Sequence, residues 1–276
     1  MFDKSTTREL NLTEEQTKKM ELTDVRTQRV RKANELIQKS RFSLSTQQQK
    51  IILYLISKIS PYDEDFKLYE FSIMDFCEVC GIPLEGGRTY TMLKEAIKTI
   101  SDKSMWVKLP NGKETLLRWI EKPYIDERNG TIQIKLDTDM KPYLLQLYEN
   151  YTQYELIYTL RFNSKYSIRL YELLNSVHYD ELKPYRYEIE IERLKVLIDA
   201  TNYDNFTNFF KRVLTPAIKE INLYSDKTIE YKLIKEKKTY KSIIFDISHK
   251  EPIDRFKIAA EIEEEFNVNQ LKFPNF

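Results

Sequence analysis

Cys77 and Cys80 are the first residues in this chain whose types and spacing could carry chemistry. A C-x-x-C step suits a redox pair or half of a structural zinc site. Zinc needs four ligands, and no second Cys pair or clustered His follows. The two histidines, His178 and His249, are too few for several metal sites or acid–base dyads. The spacing equally fits a short amphipathic helix with one thiol packed inside, and that is the expectation. Residues 81–86 match the first six positions of a phosphate-binding loop, from Gly81 to Gly86. The next residues are Gly87-Arg88-Thr89, where that motif needs Lys and then Ser or Thr. No Lys reaches a phosphate, and Pro83 removes a backbone donor, so a turn before a helix is expected. Nineteen tyrosines raise the idea of a nucleophile that nicks DNA. Such nickases hold their metal with a His-x-His pair, which this sequence lacks. No catalytic constellation survives; neither enzyme, cofactor nor metal site is expected.

Composition narrows the field further. With 276 residues and ~150 per domain, about two domains are expected. Hydrophobic residues make up 41% and aromatics 13%, ample for packed cores. Only 5 glycines occur, against a usual ~7%, which disfavours glycine-rich nucleotide folds and turn-dense all-β architectures. No run approaches the ~20 apolar residues of a membrane span, and the start MFDKSTTREL carries no apolar signal segment. A soluble, cytoplasmic protein is expected.

The elements that would position any site come in two copies. Residues 93–100 (LKEAIKTI) match 214–221 (LTPAIKEI), and 101–109 (SDKSMWVKL) match 225–233 (SDKTIEYKL) at five of nine positions. Upstream, the patterns at 51–55 and 168–172 agree more loosely. The offset grows from 117 to 124 residues, as loop insertions would produce. One unit therefore occurs twice, at about 30–145 and about 150–250.

Within the first unit, residues 45–59 carry a helical apolar stripe with Ser45 as N-cap. Residues 67–71 alternate like a strand, 72–80 form a short helix closed by Gly81 and Pro83, and 89–101 form a longer helix. Leu93, Ala96, Ile97 and Ile100 share one face of that helix. Strand-like runs follow at 104–109, 115–125 and 131–136, with turns at Asn111-Gly112 and Asn129-Gly130. The second unit repeats the order: helix 164–178, strand 185–189, short helix 191–200, long helix 206–223, hairpin 228–234 with 240–247. The fold class is α+β: two tandem winged-helix domains related by internal duplication. The long helix of such a domain enters the DNA major groove.

Charge supports that reading. Lys and Arg total 44 against 43 Asp and Glu, so the overall balance is silent, but the distribution is not. Residues 205–250 hold 10 basic and 5 acidic residues, 88–118 hold 7 and 3, and 26–50 hold 7 and 1. Acid gathers at 61–86 and after 250. Displacing phosphate counterions needs such basic stretches. In the long helix Phe206, Phe209, Phe210, Val213, Leu214, Ala217 and Ile221 face a core. Asn208, Lys211, Arg212, Thr215, Lys219 and Asn222 take the rest of the circumference. Arg reads guanine bidentately and Asn reads adenine, so Asn208, Lys211 and Arg212 are the base-reading candidates. Lys235, Lys237, Lys238 and Lys241 form a basic wing. Arg88, Thr89, Tyr90, Lys94 and Lys98 are their counterparts in the first unit. Pro216, inside the long helix, predicts a kink.

The stretch 210–222 (FKRVLTPAIKEIN) resembles the signature helix of RepB-type plasmid replication initiators, the iteron-binding Rep family. Residues 33–37 with 43–45 are similar to that family's entry, and 166–174 (YSIRLYELL) to the start of its second domain. The resemblance spans about residues 28–250. It implies an initiator that binds directly repeated double-stranded DNA at a plasmid origin, helps to open an AT-rich segment, and recruits the host initiator and replicative helicase. It also implies a monomer–dimer equilibrium in which dimers repress their own gene. The expected organisation is an extension at 1–27, a first domain at 28–148 for dimerisation and backbone contacts, a second at 149–250 for major-groove recognition, and an acidic tail at 251–276. Its acidic, amphipathic part, residues 254–266, would be a partner-binding or a solubilising helix. The residues alone reach a tandem winged-helix DNA binder; a transcriptional repressor without initiator role is the alternative.

Overall fold

A computed structural model of the chain describes residues 13–109, 112–178 and 183–271. It begins with α1 (Glu14–Arg26), started by a capping box between Thr13 and Gln16. β1 (Arg29–Ala33) and α2 (Asn34–Lys39) follow. The first repeated unit opens on α3 (Thr46–Ser57), capped by Ser45 as its sequence position indicates. Next come β2 (Tyr69–Ser72), α4 (Ile73–Cys80), α5 (Gly87–Asp102), β3 (Ser104–Lys108), β4 (Glu114–Arg118), β5 (Tyr124–Asp126) and β6 (Thr131–Ile134). A 3-10 turn, α6 (Lys141–Leu144), β7 (Tyr151–Glu155) and α7 (Ile157–Leu160) lead into the second unit. This comprises α8 (Lys165–Ser176), β8 (Tyr185–Glu190), α9 (Ile191–Leu197), α10 (Phe206–Phe209), a π-helical turn over Phe210–Leu214, α11 (Thr215–Tyr224), β9 (Lys227–Glu236) and β10 (Thr239–His249). The last helix is α12 (Pro252–Leu271).

The two units share one topology. Their sheets run β2-β6-β5 and β8-β10-β9. In each, the strand before the short helix pairs antiparallel with the unit's last strand. They differ in the wing. The run 115–125 reads as one strand in sequence, but β4 stops at Arg118 and β5 starts at Tyr124. Between them Trp119 and Ile120 turn into the core, and Pro123 supplies no ladder N–H. β3 and β4 therefore stand as a separate two-stranded sheet. Of the two expected turns, Gly130 occupies the left-handed region at φ +62°, whereas Asn111 lies outside the described residues. The short helix expected over 191–200 ends at Leu197, because Asp199 turns the chain at φ +61°.

Cys77 and Cys80 both point into the core from α4, where one buried thiol was expected. Burial pushes each thiol up to about 12, far from a reactive thiolate. Among the described residues no helix is long and apolar enough to cross a membrane.

Segments beside the matched helices and sheets tie the units together. β1 pairs antiparallel with β7. At this seam the buried Lys32 meets Glu172 of α8 at 2.6 Å, and Tyr154 donates to the same carboxylate at 2.6 Å. The acidic tail forms a helix with one face on the protein and the rest exposed. α12 lies against α4, α7 and α11, with Ile262 and Phe266 buried. Its Glu263 accepts from Arg26, and its Glu265 accepts from Arg161 Nε at 2.6 Å. Arg26, fully buried, also donates to the carbonyls of Val79 (3.0 Å) and Glu78 (2.6 Å) at the end of α4. The Phe266 ring packs on Gly81, where a Cβ would sit 2.4 Å from it.

Candidate nucleic-acid interface

The long helix of the second unit is built in three pieces. Asn205 caps α10, its side chain accepting from Asn208 N at 3.1 Å. The ladder then widens: Thr215 N–H bonds the Phe210 carbonyl, five residues back, and Pro216 falls in the first turn of α11. A proline lacks an N–H and its ring crowds the carbonyl four residues earlier. The π turn absorbs both, so the expected kink takes the form of a widened turn, a feature frequent at functional sites. Lys211 and Arg212 ride on it.

Phe209, Val213, Leu214, Ala217 and Ile221 are buried, as their spacing indicates. Asn208, Lys211, Arg212, Thr215 and Lys219 are all exposed. Among the described residues Lys211, Arg212 and Lys219 have no carboxylate partner. Asn222, read as outward-facing from sequence, is half-buried and occupied. It donates to Ile229 O at 2.9 Å and accepts from Ile229 N at 2.7 Å, stitching α11 to β9.

The basic count also needs correcting from within. Lys227 is buried, and Lys250 donates to the carbonyls of Asn222 and Ser225, capping the end of α11. Arg26 and Lys32 are likewise interior. Part of the positive charge along the chain is therefore structural, and the exposed share in the second unit includes Lys211 and Arg212 on the π turn, Lys219 on α11 and the wing lysines.

That wing is the hairpin β9–β10, longer than expected, closed by the two residues Lys237 and Lys238. Lys237 stands in the left-handed region at φ +57°, which non-glycine residues rarely occupy. Lys235, Lys237, Lys238 and Lys241 are exposed. Lys241 pairs with Glu236 across the hairpin at 2.8 Å, and Lys235 Nζ lies 4.6 Å from the centre of the Tyr240 ring.

In the first unit Leu93, Ala96, Ile97 and Ile100 of α5 are buried as expected. Arg88 pairs with Glu85 at 2.8 Å. Lys94 pairs with Glu127 at 2.7 Å and lies over the Tyr90 ring. The Lys94–Glu127 hydrogen bond holds the lysine above its ordinary pKa and the glutamate below. Lys98 is exposed and Tyr90 half-buried. Thr89 is not available to a ligand: it is 3% exposed, and its hydroxyl accepts from Glu85 N at 2.8 Å while donating to Pro83 O at 3.1 Å. It fixes the loop before α5.

Sequence reasoning missed the aromatic contact between helix and wing. Phe206 and Phe210 remain half-exposed, and Tyr240 stacks on Phe206. The i, i+4 spacing of the two phenylalanines was the available signal; which strand residue they would meet depends on hairpin register.

This geometry offers a helix with exposed cations and an amide at its start, beside a lysine-tipped hairpin. Such an arrangement suits base edges in a groove together with flanking phosphates. The comparisons with known proteins point the same way. The Rep3 model described as "Initiator Replication protein, WH1" matches residues 29–175. The model described as "Initiator Rep protein, WH2" matches residues 190–247. A replication initiation protein of Escherichia coli is 26% identical over 250 residues, covering 87% of this chain and 74% of that protein. The crystal structure of the Pi initiator protein in complex with iteron DNA shares the fold, with TM-score 0.67 and 20% identity over 82% of this chain and 99% of that one.

Proposed function

The chain belongs to the Rep3 family of replication initiator proteins, with its two winged-helix domains, and on that premise we propose that it binds direct repeats in double-stranded origin DNA through its second domain. The observation that carries this reading is the exposed face of Asn208, Lys211, Arg212, Thr215 and Lys219, with cations that no carboxylate of the described residues neutralises. Asn208, Lys211 and Arg212 read bases, and Lys235, Lys237, Lys238 and Lys241 of the wing hold phosphates. The iteron DNA bound by the Pi initiator supports the ligand class. In the first domain Arg88, Lys94 and Lys98 add backbone contacts, and the same domain provides the dimer contact.

The division of labour follows the domains 28–148 and 149–250. As a monomer the protein occupies a repeat with both domains. Linking two modest readers raises the effective concentration of the second once the first is bound. Opening of adjacent DNA, recruitment of a host initiator and replicative helicase, and repression of its own gene by the dimer complete the reading.

A salt-dependent titration tests it, using duplexes that flank this gene, with random duplex as competitor. Tight binding to short direct repeats that survives competitor is expected. Affinity no greater than for random DNA overturns the reading. Retention of a plasmid carrying those repeats then separates an initiator from a repressor.

A further inference from the structure

A helix and a wing act as one reader only if something fixes one against the other. Here four rings do so. Tyr240 stacks on Phe206 with 4.5 Å between ring centroids and 27° between planes. Phe206 stacks on Phe210 at 5.8 Å and 24°, and Phe210 meets Tyr231 edge-on at 5.8 Å and 65°. Phe206 is the first residue of α10, and Tyr240 lies one residue inside β10 from the start at Thr239. The chain joins the first turn of the long helix to the tip of the wing.

The hairpin is built to present that ring. Ser242 pairs with Ile234, but Tyr240 pairs with Lys235, so Lys241 stands outside the ladder as a bulge. In an unbroken ladder Lys241 would oppose Lys235 directly, a like-charge pair that costs stability. The bulge removes Lys241 from that place and re-aims the strand, which brings Tyr240 opposite Lys235 and onto the helix side. Lys235 Nζ then rests over the Tyr240 ring. Phe206 and Tyr240 are half-exposed, at the margin of a core whose centre is formed by Phe209, Val213 and Phe245.

We propose that Tyr240 is a positioning residue for sequence readout, its stack on Phe206 holding the wing lysines in register with the base-reading side chains of α10 and the π turn. This rests on the DNA-reading function proposed above. Without the ring, wing and helix each still meet DNA, but the phosphates gripped by the wing no longer fix which bases the helix faces.

The full chain is first used to select duplexes from a randomised library. Affinities for the selected duplex and for a random duplex are then measured across a salt series for wild type, Tyr240→Phe, Tyr240→Leu, Phe206→Leu and Arg212→Ala, with thermal melts of each. Tyr240→Phe, which keeps the ring, should match wild type. Tyr240→Leu should lose about tenfold in the ratio of selected to random affinity, with random-duplex affinity and salt slope unchanged. Phe206→Leu removes the opposite side of the stack and should give the same split, which covers the case in which Tyr240→Leu does not fold. A ratio kept in both leucine variants, or an equal loss on both duplexes, overturns the inference while the wild-type ratio stands. A wild type that selects nothing overturns the function beneath it as well.

Discussion

The two winged-helix units descend from one pattern, yet they present their long helices differently. In the second, Lys211, Arg212 and Lys219 face outward with no carboxylate partner among the described residues. In the first, Arg88 and Lys94 occupy the corresponding helix but are held by Glu85 and Glu127. The first unit is also wrapped by chain from outside the repeat, through Arg26 of α1 and Phe266 of α12 on the end of α4. The two copies of one fold thus differ in what surrounds them. One copy is held by buried anchors, and the other leaves three helix cations without a carboxylate partner among the described residues.

The most severe way to break that asymmetry is Arg26→Ala. It leaves Glu263 and two carbonyls at the end of α4 without their donor. Loss of one partner of a buried ion pair costs about 3–5 kcal/mol. Urea unfolding followed by hydrogen exchange should show α1, α4 and α12 opening before the second unit. A single transition of unchanged midpoint would show that the wrapping adds no stability.

Next in size is the long helix itself. Arg212→Ala should cost ~1–3 kcal/mol on repeat DNA and relax preference at one base position. Lys94→Ala in the first unit, whose charge is already paired, should cost less and equally on every sequence. Binding titrations on repeat and random duplexes separate the two. Equal losses on both duplexes for both variants would remove the distinction between the units.

Much of this was legible in the chain, and the reasons for the gaps are specific. Apolar spacing found the helices through Leu93, Ile97, Val213 and Ile221, because a helix face is set by residues close in sequence. The exposed candidates on α10 and α11 followed from the same wheel. Long-range pairing was not legible. Thr89 looked like a surface hydroxyl until the loop from Pro83 folded back over it. The pairing of Glu263 and Glu265 of α12 was not legible, because their partners, Arg26 and Arg161, lie 237 and 104 residues away. Asn222 and Lys250 read as surface residues because their work is to satisfy backbone groups across the unit.

A smaller effect tests the wing. Lys237 adopts φ +57°, a region that costs a non-glycine residue ~1 kcal/mol, so Lys237→Gly should stabilise the fold by about that amount. On the proposed function the same change also removes a wing cation that holds phosphate, and it should flatten the salt slope by about one on any sequence. Stability and affinity thus move in opposite directions, and a joint fall in both would mean that the lysine braces the turn.

The finest test removes an acid instead of a base. Glu127 lies in the turn between β5 and β6 and holds Lys94 at 2.7 Å on the exposed surface. Glu127→Gln keeps the shape and deletes the charge. An exposed pair contributes only ~0–1 kcal/mol, so folding stability should change little. Lys94 then lacks a carboxylate partner, as Lys211 and Arg212 already do among the described residues. Affinity for random duplex should rise severalfold at low salt, and the salt slope should steepen by about one. If the first domain lies away from DNA, neither quantity changes, and the difference between the two helices reflects position and not pairing.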